Sequence, residues 1–368
     1  MKPVTTFEYG VLHFDKNIQL PEKDRIPSRY HDRLEKLNKK NDAKYYTIYS
    51  DRIKFKQYVG LLQVGDLSIE VLPKIDKDDD KTKWRHVLID MLRMCSKIKI
   101  DSMSFANQKL ENSSLFEIFI RNFLEEVKML IREGLNKKYR KTDDNINFYR
   151  GKLLVNNQIK YNHLHKERFY CEFNTFDYDN KMNQIIKRAL DILLKMNISA
   201  SLQDTLKSII LDLPEISSKK ITKSDFDNLV FDRAGEKYKE AISLAKLIIL
   251  NYQPDGTGQE NTLAIFFNMN ELFEEYIFRI LRRYTDLNPK FKEPRRFCEF
   301  NELDKRGIRS DIYIESRNTV IDTKWKLLKN DSVKEIASSD LMQMYTYSKF
   351  FNCNRSILLY PDENETKN

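Results

Sequence analysis

The chain has 368 residues, enough for two hydrophobic cores, and carries 64 Lys and Arg against 55 Asp and Glu, a net charge of +9. That modest excess permits a polyanionic partner without requiring one. Neither the start MKPVTTFEYGVLHF nor any apolar run approaching ~18 residues suggests export or membrane insertion, so a cytoplasmic protein is expected. Cys95, Cys171, Cys298 and Cys353 are widely spaced with no Cys-x-x-Cys pair, which reads as reduced core residues rather than a disulfide framework or a zinc site. There is no Gly-x-x-x-x-Gly-Lys-Ser/Thr and no Gly-x-Ser-x-Gly, so P-loop nucleotide binding and α/β-hydrolase chemistry are excluded for this chain.

In chain order, Thr6 to Phe14, Tyr45 to Ile48, Arg52 to Gln63 and Leu67 to Leu72 predict strands, with a charged helix near Tyr30 to Asn41 that ends in the basic stretch KLNKKN. Asp76 to Lys81, DKDDDK, lacks the glycine and terminal glutamate of a calcium loop and reads as solvated linker. Thr82 to Cys95 and Ser114 to Leu135 repeat apolar residues every three and four positions and predict helices with core-facing Met and Phe. After Asn145 extended structure is expected through Phe148 to Ile159. His163 and His165 have no third ligand nearby and are taken as surface residues. Phe169 to Phe176 predicts a strand, Asn180 to Met196, Leu202 to Leu211 and Tyr238 to Asn251 predict helices, and Asp255 to Gly258 is a turn.

The last hundred residues carry the chemistry. Asn268 to Tyr284 places Leu272, Phe273, Tyr276, Ile277, Ile280 and Leu281 on one helical face, with Asn268 or Asn270 as cap. An extended run at Arg295 to Phe300, a hairpin over Gly307 to Leu327, a helix from about Val333 to Phe350 and a strand at Ser356 to Tyr360 follow. In the hairpin, Ile308, Ile312 and Ile314 alternate with polar partners, Ser316, Arg317 and Asn318 supply the turn, and Thr319 to Trp325 returns. An even-residue loop sets Asp311 opposite Asp322, and strand alternation puts Lys324 on the face of Asp322.

Two carboxylates and an ammonium suit Mg²⁺-assisted hydrolysis of a phosphodiester. The carboxylates and a backbone carbonyl, expected to be that of Thr323, hold the ion, and Lys324 orients or deprotonates the attacking water. Taken alone, Asp-x-Lys is so common that a surface hairpin with an ordinary cross-strand ion pair is the first reading, and the surroundings have to carry the rest. Arg279, Arg282, Arg283, Lys290, Lys292, Arg295, Arg296, Lys305, Arg306 and Arg309 crowd the sequence just before these residues, where a phosphate backbone needs neutralising.

The order helix, three strands, helix, strand resembles the PD-(D/E)XK nuclease fold, with Asp311, Asp322 and Lys324 at its motif positions. The resemblance implies that a glutamate of the first helix completes the metal site, Glu274 or Glu275, with Glu274 preferred. In DLMQMYTYSKF, Gln343 and Tyr347 match a Gln-x-x-x-Tyr element of one branch of these nucleases, four apart on one helical face toward DNA or the site lysine. Arg309, Arg295 and Arg296 are the accompanying candidates for DNA contact or support of the site. The segments YVGLLQVGDLSIEVLPKI at Tyr58, YRGKLLVNNQI at Tyr149, the polar turn and helix around Asn183 and Arg188, and MNELFEEYI at Met269 resemble McrC, the nuclease subunit of McrBC-type modification-dependent restriction systems.

That resemblance covers nearly the whole chain and implies an α+β protein. A β-rich N-terminal domain with helices, over 1–165, is expected to contact the ring of an McrB-like AAA+ GTPase. The rest, 166–368, is expected to be a helical segment plus an endonuclease core at about 262–362. It further implies Mg²⁺ as cofactor, GTP bound by the partner and not by this chain, stimulation of the partner's GTPase, and methylated double-stranded DNA as substrate. A stand-alone PD-(D/E)XK nuclease and a non-catalytic adaptor of an AAA+ ring are the alternatives.

Overall fold

The long strand expected over Thr6 to Phe14 is two strands, Val4–Phe7 (β1) and Val11–Phe14 (β2), because Tyr9 takes a left-handed φ of 58° and turns the chain. The structure is a computed structural model and describes residues 3–15, 25–74, 80–95, 114–254, 261–299, 305–326 and 333–362. The expected turn at Asp255 to Gly258 and most of the DKDDDK segment lie outside the described residues. The architecture is mixed α and β with several separate sheets. It divides into two compact units, Met1–Ile118 with Pro254–Asn368, and Phe119–Gln253.

In the first unit, β3 (Arg25–Ile26), α1 (His31–Lys40), β4 (Tyr46–Ile48) and β5 (Arg52–Phe55) follow β2, giving a sheet in the order β3-β2-β5-β4. β6 (Tyr58–Val64) is buried at every residue, and Gly65 and Asp66 turn it directly into β7 (Leu67–Leu72), with Val64 opposite Leu67. α2 (Lys81–Met94) is capped by Asp80, whose carboxylate accepts from the N–H groups of Thr82 and Lys83.

The second unit begins within α3 (Leu115–Arg132). It continues through β8 (Lys138–Ile146), β9 (Lys152–Leu153), α4 (Val155–Tyr161), β10 (Phe169–Asp177), α5 (Lys181–Leu193), α6 (Ala200–Asp212), α7 (Lys223–Asp227), α8 (Lys239–Asn251) and β11 (Tyr252–Gln253). β10 pairs with both β8 and β9, so a boundary at residue 165 would cut a three-stranded sheet. The extended structure expected through Ile159 is instead helical from Val155, with Gln158 folded back to accept from the N–H of Tyr170 at 2.6 Å. His163 is exposed, and His165, exposed too, meets Glu167 at 3.2 Å.

The chain then returns to the first unit. β12 (Thr262–Asn268) pairs antiparallel with β6 along its whole length, Thr262 opposite Val64 and Asn268 opposite Tyr58. Within this unit the sheet therefore runs β1-β7-β6-β12, built from both ends of the sequence. Asn268 caps α9 (Met269–Tyr284) through its side chain. Beyond it lie β13 (Lys290–Phe291), β14 (Pro294–Glu299), β15 (Lys305–Arg309), β16 (Ile312–Ile314), β17 (Thr319–Thr323), α10 (Ser338–Phe351) and β18 (Arg355–Leu359).

β13, β16, β17 and β18 form one mixed sheet in that order, antiparallel except for the parallel β17–β18 pair. Its two faces are filled separately, as alternation along each strand requires. Ile312, Ile314 and Ile321 pack with Ile277, Phe278 and Leu281 of α9, while Tyr313 and Val320 pack with Met344, Tyr347 and Phe351 of α10. The result is a helix, sheet, helix sandwich. The first strand of the expected hairpin is broken, however: β15 pairs with β14 in a ribbon of its own, and only β16 returns into β17. Among the described residues, no helix is long and apolar enough to cross a membrane.

Candidate active site

Strand register brings the acidic residues together. Ile312 faces Ile321 across β16 and β17, so continuing the ladder by one step sets Asp311 opposite Asp322. The connection is a single 3-10 turn, Glu315–Arg317, closed by Asn318 at φ 44°. Asparagine tolerates that left-handed conformation. Its side chain is held as well, donating to the carbonyl of Asn352 at 2.6 Å and accepting from the Tyr313 hydroxyl at 3.1 Å.

Each carboxylate is oriented by a specific donor. Asp311 Oδ2 accepts the N–H of Thr323 at 2.8 Å and its hydroxyl at 3.2 Å. Asp322 is 1% exposed, and its Oδ1 accepts from Gln343 Nε2 at 3.2 Å. The Lys324 ammonium sits 2.7 Å from Asp322 Oδ2, a charge-assisted contact on the second oxygen of that carboxylate. Burial pushes the Asp322 carboxyl up to about 6, against the pull of Lys324 and with help from the charge of Asp311. For Lys324 burial acts downward, but the neighbouring carboxylates outweigh it and hold the amine above its ordinary value, so it remains an ammonium.

α10 closes the site from one side. Gln343 accepts from Lys324 Nζ at 3.0 Å and donates to both Asp322 and the Tyr347 hydroxyl, the latter at 2.7 Å. Tyr347 in turn donates to the carbonyl of Arg309 at 3.0 Å. One amide thus ties the acid, the lysine and the phenol together, and the phenol pins the end of β15. Farther along, Lys326 meets the buried Asp340 at 2.6 Å, and Trp325 Nε1 donates to Glu8 of the N-terminal turn at 2.6 Å.

α9 approaches from the other side. Glu274 meets Lys292 at 2.9 Å; burial raises its carboxyl above the ordinary range, with the charge of Asp311 adding to the rise. Glu275, the other candidate, pairs with Arg279 at 3.2 Å and borders a separate hollow with Lys44, Tyr58 and Phe266. The carboxylates near the sheet end do not close into a tight shell. Among the described residues, the set of three potential ligands whose atoms lie within 4.8 Å of one another is His31, Asp32 and Glu35, at the start of α1.

The basic residues expected to meet phosphate are differently employed. Arg295 is half-buried with its guanidinium over the rings of Tyr313 and Phe351, at 4.9 and 4.6 Å, and so packs the sheet rather than presenting a free charge. Lys290 pairs with Glu315 at 2.8 Å. Arg296 and Arg309 are exposed. The side chains of Lys305 and Arg306 lie outside the described residues. Lys292 and Asp340 are contacts at the site that sequence spacing did not single out, since each reaches it only through the packing of its element.

Comparison with known proteins bears on the whole chain. The model of the family described as "McrBC 5-methylcytosine restriction system component" matches residues 53–361. The Type IV methyl-directed restriction enzyme EcoKMcrBC of Escherichia coli (strain K12) is 26% identical over 182 residues, 48% of this chain and 52% of that protein. The match thus spans about half the length of that curated relative. A refined half-complex from a tetradecameric assembly of Thermococcus gammatolerans McrB AAA+ hexamers with bound McrC is similar with a TM-score of 0.69 at 21% identity, over 98% of this chain and 87% of the other. The cryo-EM structure of the Thermococcus gammatolerans McrBC complex is similar at 0.56 and 24% identity, over 76% of this chain and 87% of that one.

Proposed function

The chain belongs to the family of McrBC 5-methylcytosine restriction system components, and from that premise we propose that it is the DNA-cutting subunit of a modification-dependent restriction complex. In this reading it is a Mg²⁺-dependent endonuclease of the PD-(D/E)XK type, cytoplasmic, working with an AAA+ partner ring that binds and hydrolyses GTP and whose turnover it stimulates. The solved relatives hold McrC on McrB AAA+ hexamers. This chain has no P-loop of its own, which agrees with nucleotide hydrolysis being the partner's task.

The observation that carries the proposal is the Asp322, Lys324, Gln343 network set beside Asp311 at the end of one sheet. An isolated ion pair between residues two apart on one strand would not need a helix amide bonded to both partners. The donors suit Mg²⁺, which takes hard oxygen ligands, and the nearly fully buried Asp322 carboxylate feels the charge of Asp311 beside it. Asp311, Asp322 and Glu274, with the backbone carbonyl of Thr323, would hold the ion. When bound, the ion neutralises the scissile phosphate and lowers the pKa of a coordinated water.

The chain's own residues supply the rest. Thr323 fixes the rotamer of Asp311, and Gln343 fixes that of Asp322, so the acidic pair is arranged before substrate arrives. Lys324, kept charged by its neighbours, donates to the attacking water to orient it and stabilises negative charge on the pentavalent phosphorus. Tyr347 holds Gln343 in register, and exposed Arg309 and Arg296 lie where DNA backbone charge would be met.

The test is to purify Asp311→Ala and Asp322→Ala with the partner ring and assay cleavage of methylated DNA with GTP and Mg²⁺. Both should lose cleavage by at least about a thousandfold while still assembling and still stimulating GTP hydrolysis. Cutting at the wild-type rate by either variant removes that carboxylate from the mechanism.

A further inference from the structure

Lys292 is placed unlike the other lysines of the C-terminal part. It follows β13 in a left-handed conformation, φ 52°, which a side chain with a Cβ adopts only at a cost in backbone energy. Its own N–H donates to the carbonyl of Asp311 at 2.8 Å, and its ammonium lies 2.9 Å from Glu274 Oε2. One residue is therefore locked by its backbone to one candidate metal ligand and by its side chain to another. The lysine is 26% exposed and the glutamate 17%, so the contact is sheltered but the long stem has room to leave it.

Charge balance gives this placement a meaning. Asp322 has the Lys324 ammonium beside it, and Glu274, which feels the charge of Asp311, has the Lys292 ammonium. A divalent ion that takes Oε2 of Glu274, or chelates both its oxygens, needs the oxygen Lys292 now occupies, and it repels the ammonium at close range. Lysine and ion cannot share that oxygen.

We propose that Lys292 is a built-in competitor for the metal site, an internal cation that holds Glu274 in the metal-free protein and must swing away for the divalent ion to be bound. Displacement leaves an ammonium on a flexible stem at the rim of the site, free to take a phosphate oxygen of the DNA. Metal binding and DNA binding are then coupled through one side chain, each favouring the state the other needs. This rests on the reading that Asp311, Asp322 and Glu274 hold the ion.

The experiment is a titration of the full chain, without DNA, with Mn²⁺, an oxygen-seeking ion whose free fraction is read directly by electron paramagnetic resonance. Lys292→Met removes the ammonium, and Lys292→Gly removes it while relieving the left-handed backbone, so the two variants differ in fold stress but share the prediction. Both should bind Mn²⁺ roughly tenfold more tightly than wild type. In a double-mutant cycle, Glu274→Gln should erase that gain, since the lysine then has nothing to withhold. A merely structural lysine predicts the opposite sign, weaker binding on removal. The proposal is overturned if wild type binds Mn²⁺, Asp322→Asn does not, and neither Lys292 variant binds more tightly. If instead Mn²⁺ binding is absent, or is indifferent to Asp311→Asn and Asp322→Asn, the metal site itself is wrong and the role of Lys292 falls with it.

Discussion

At the scale of single residues, the site stores a cost. Asp322 has a folded-state carboxyl raised by burial to about 6 from 3.8, and Glu8, held by Trp325, is raised by burial to about 7 from 4.5. For both, the folded chain binds the proton more tightly than the unfolded chain does. Stability from these groups is therefore fully present below about pH 4 and declines with rising pH, through about 6 for Asp322 and about 7 for Glu8. Two pKa units correspond to at most about 3 kcal/mol for Asp322, part of which the loss of the Lys324 contact would return. Asp322→Asn should accordingly raise the metal-free melting temperature at pH 7 and flatten its fall between pH 5 and 7, while under the proposed function it loses cleavage. Scanning calorimetry of wild type and variant in chelator at pH 5, 6 and 7 checks this; a lower melting point for the variant at pH 7 would contradict it.

The same residues show what spacing can and cannot convey. That Asp322 and Lys324 share a face follows from the two-residue period of a strand, and the side chains do meet at 2.7 Å. The meeting of Asp311 with Asp322 needed the loop length as well, and the four-residue turn Glu315 to Asn318 preserves the even count. By contrast, nothing in the local sequence separates Lys292 or Arg295 from the other basic residues around them. One lies on Glu274 and the other over two aromatic rings because of where β13 and β14 are carried.

At the scale of elements, most periodic segments formed as their patterns imply, with ends shifted by a few residues. The exceptions have identifiable causes. Lys138–Ile146 reads as polar and mostly exposed, so no apolar alternation announced β8; its backbone is satisfied by β10, residue for residue from Lys138 opposite Asp177 to Ile146 opposite Phe169. Val155–Tyr161 was too short to show a helical period, and the bond from Gln158 to Tyr170 secures it as a helix against β10.

β6 carries a tight constraint on its sequence. Gly60 sits in mid-strand at φ 139°, and a Cβ there would lie 2.2 Å from the carbonyl oxygen of Ile265 on β12. That is backbone, which has no rotamer to yield. Gly60→Ala should destabilise the first unit by roughly 2–4 kcal/mol through strain and displacement of β12. A urea midpoint within error of wild type would show that the two strands can separate without penalty.

At the scale of the whole molecule, the two ends of the sequence share one sheet. β12 covers the full length of β6, so residues 1–253 expressed alone would leave seven consecutive buried residues on an unpaired edge. That fragment should aggregate or remain unfolded, and the piece from 254 onward should rescue it on co-expression as a stable pair. Size-exclusion chromatography with a cooperative melt of 1–253 alone as a monomer would refute this. The arrangement also bears on the proposed activity: the strand leading into α9 is rooted in the N-terminal sheet, and Trp325 beyond β17 is bonded to Glu8. A partner gripping the N-terminal sheet would have a continuous mechanical connection to the carboxylates.

The amino-acid sequence by itself determined the two helices of the last hundred residues, the return of β16 into β17, the closing strand, the shared face of Asp322 and Lys324, and the likeness to restriction-system proteins that the comparisons bear out. These are local properties, set by periodicity, turn length and residue chemistry over a few positions. Tertiary structure alone decided that β12 joins the N-terminal sheet, that residues 119–253 form a compact unit of their own, and that Glu274 rests on Lys292. Each of those outcomes depends on which distant surfaces exclude water together and which distant charges they bring into contact, and no window of sequence contains both partners.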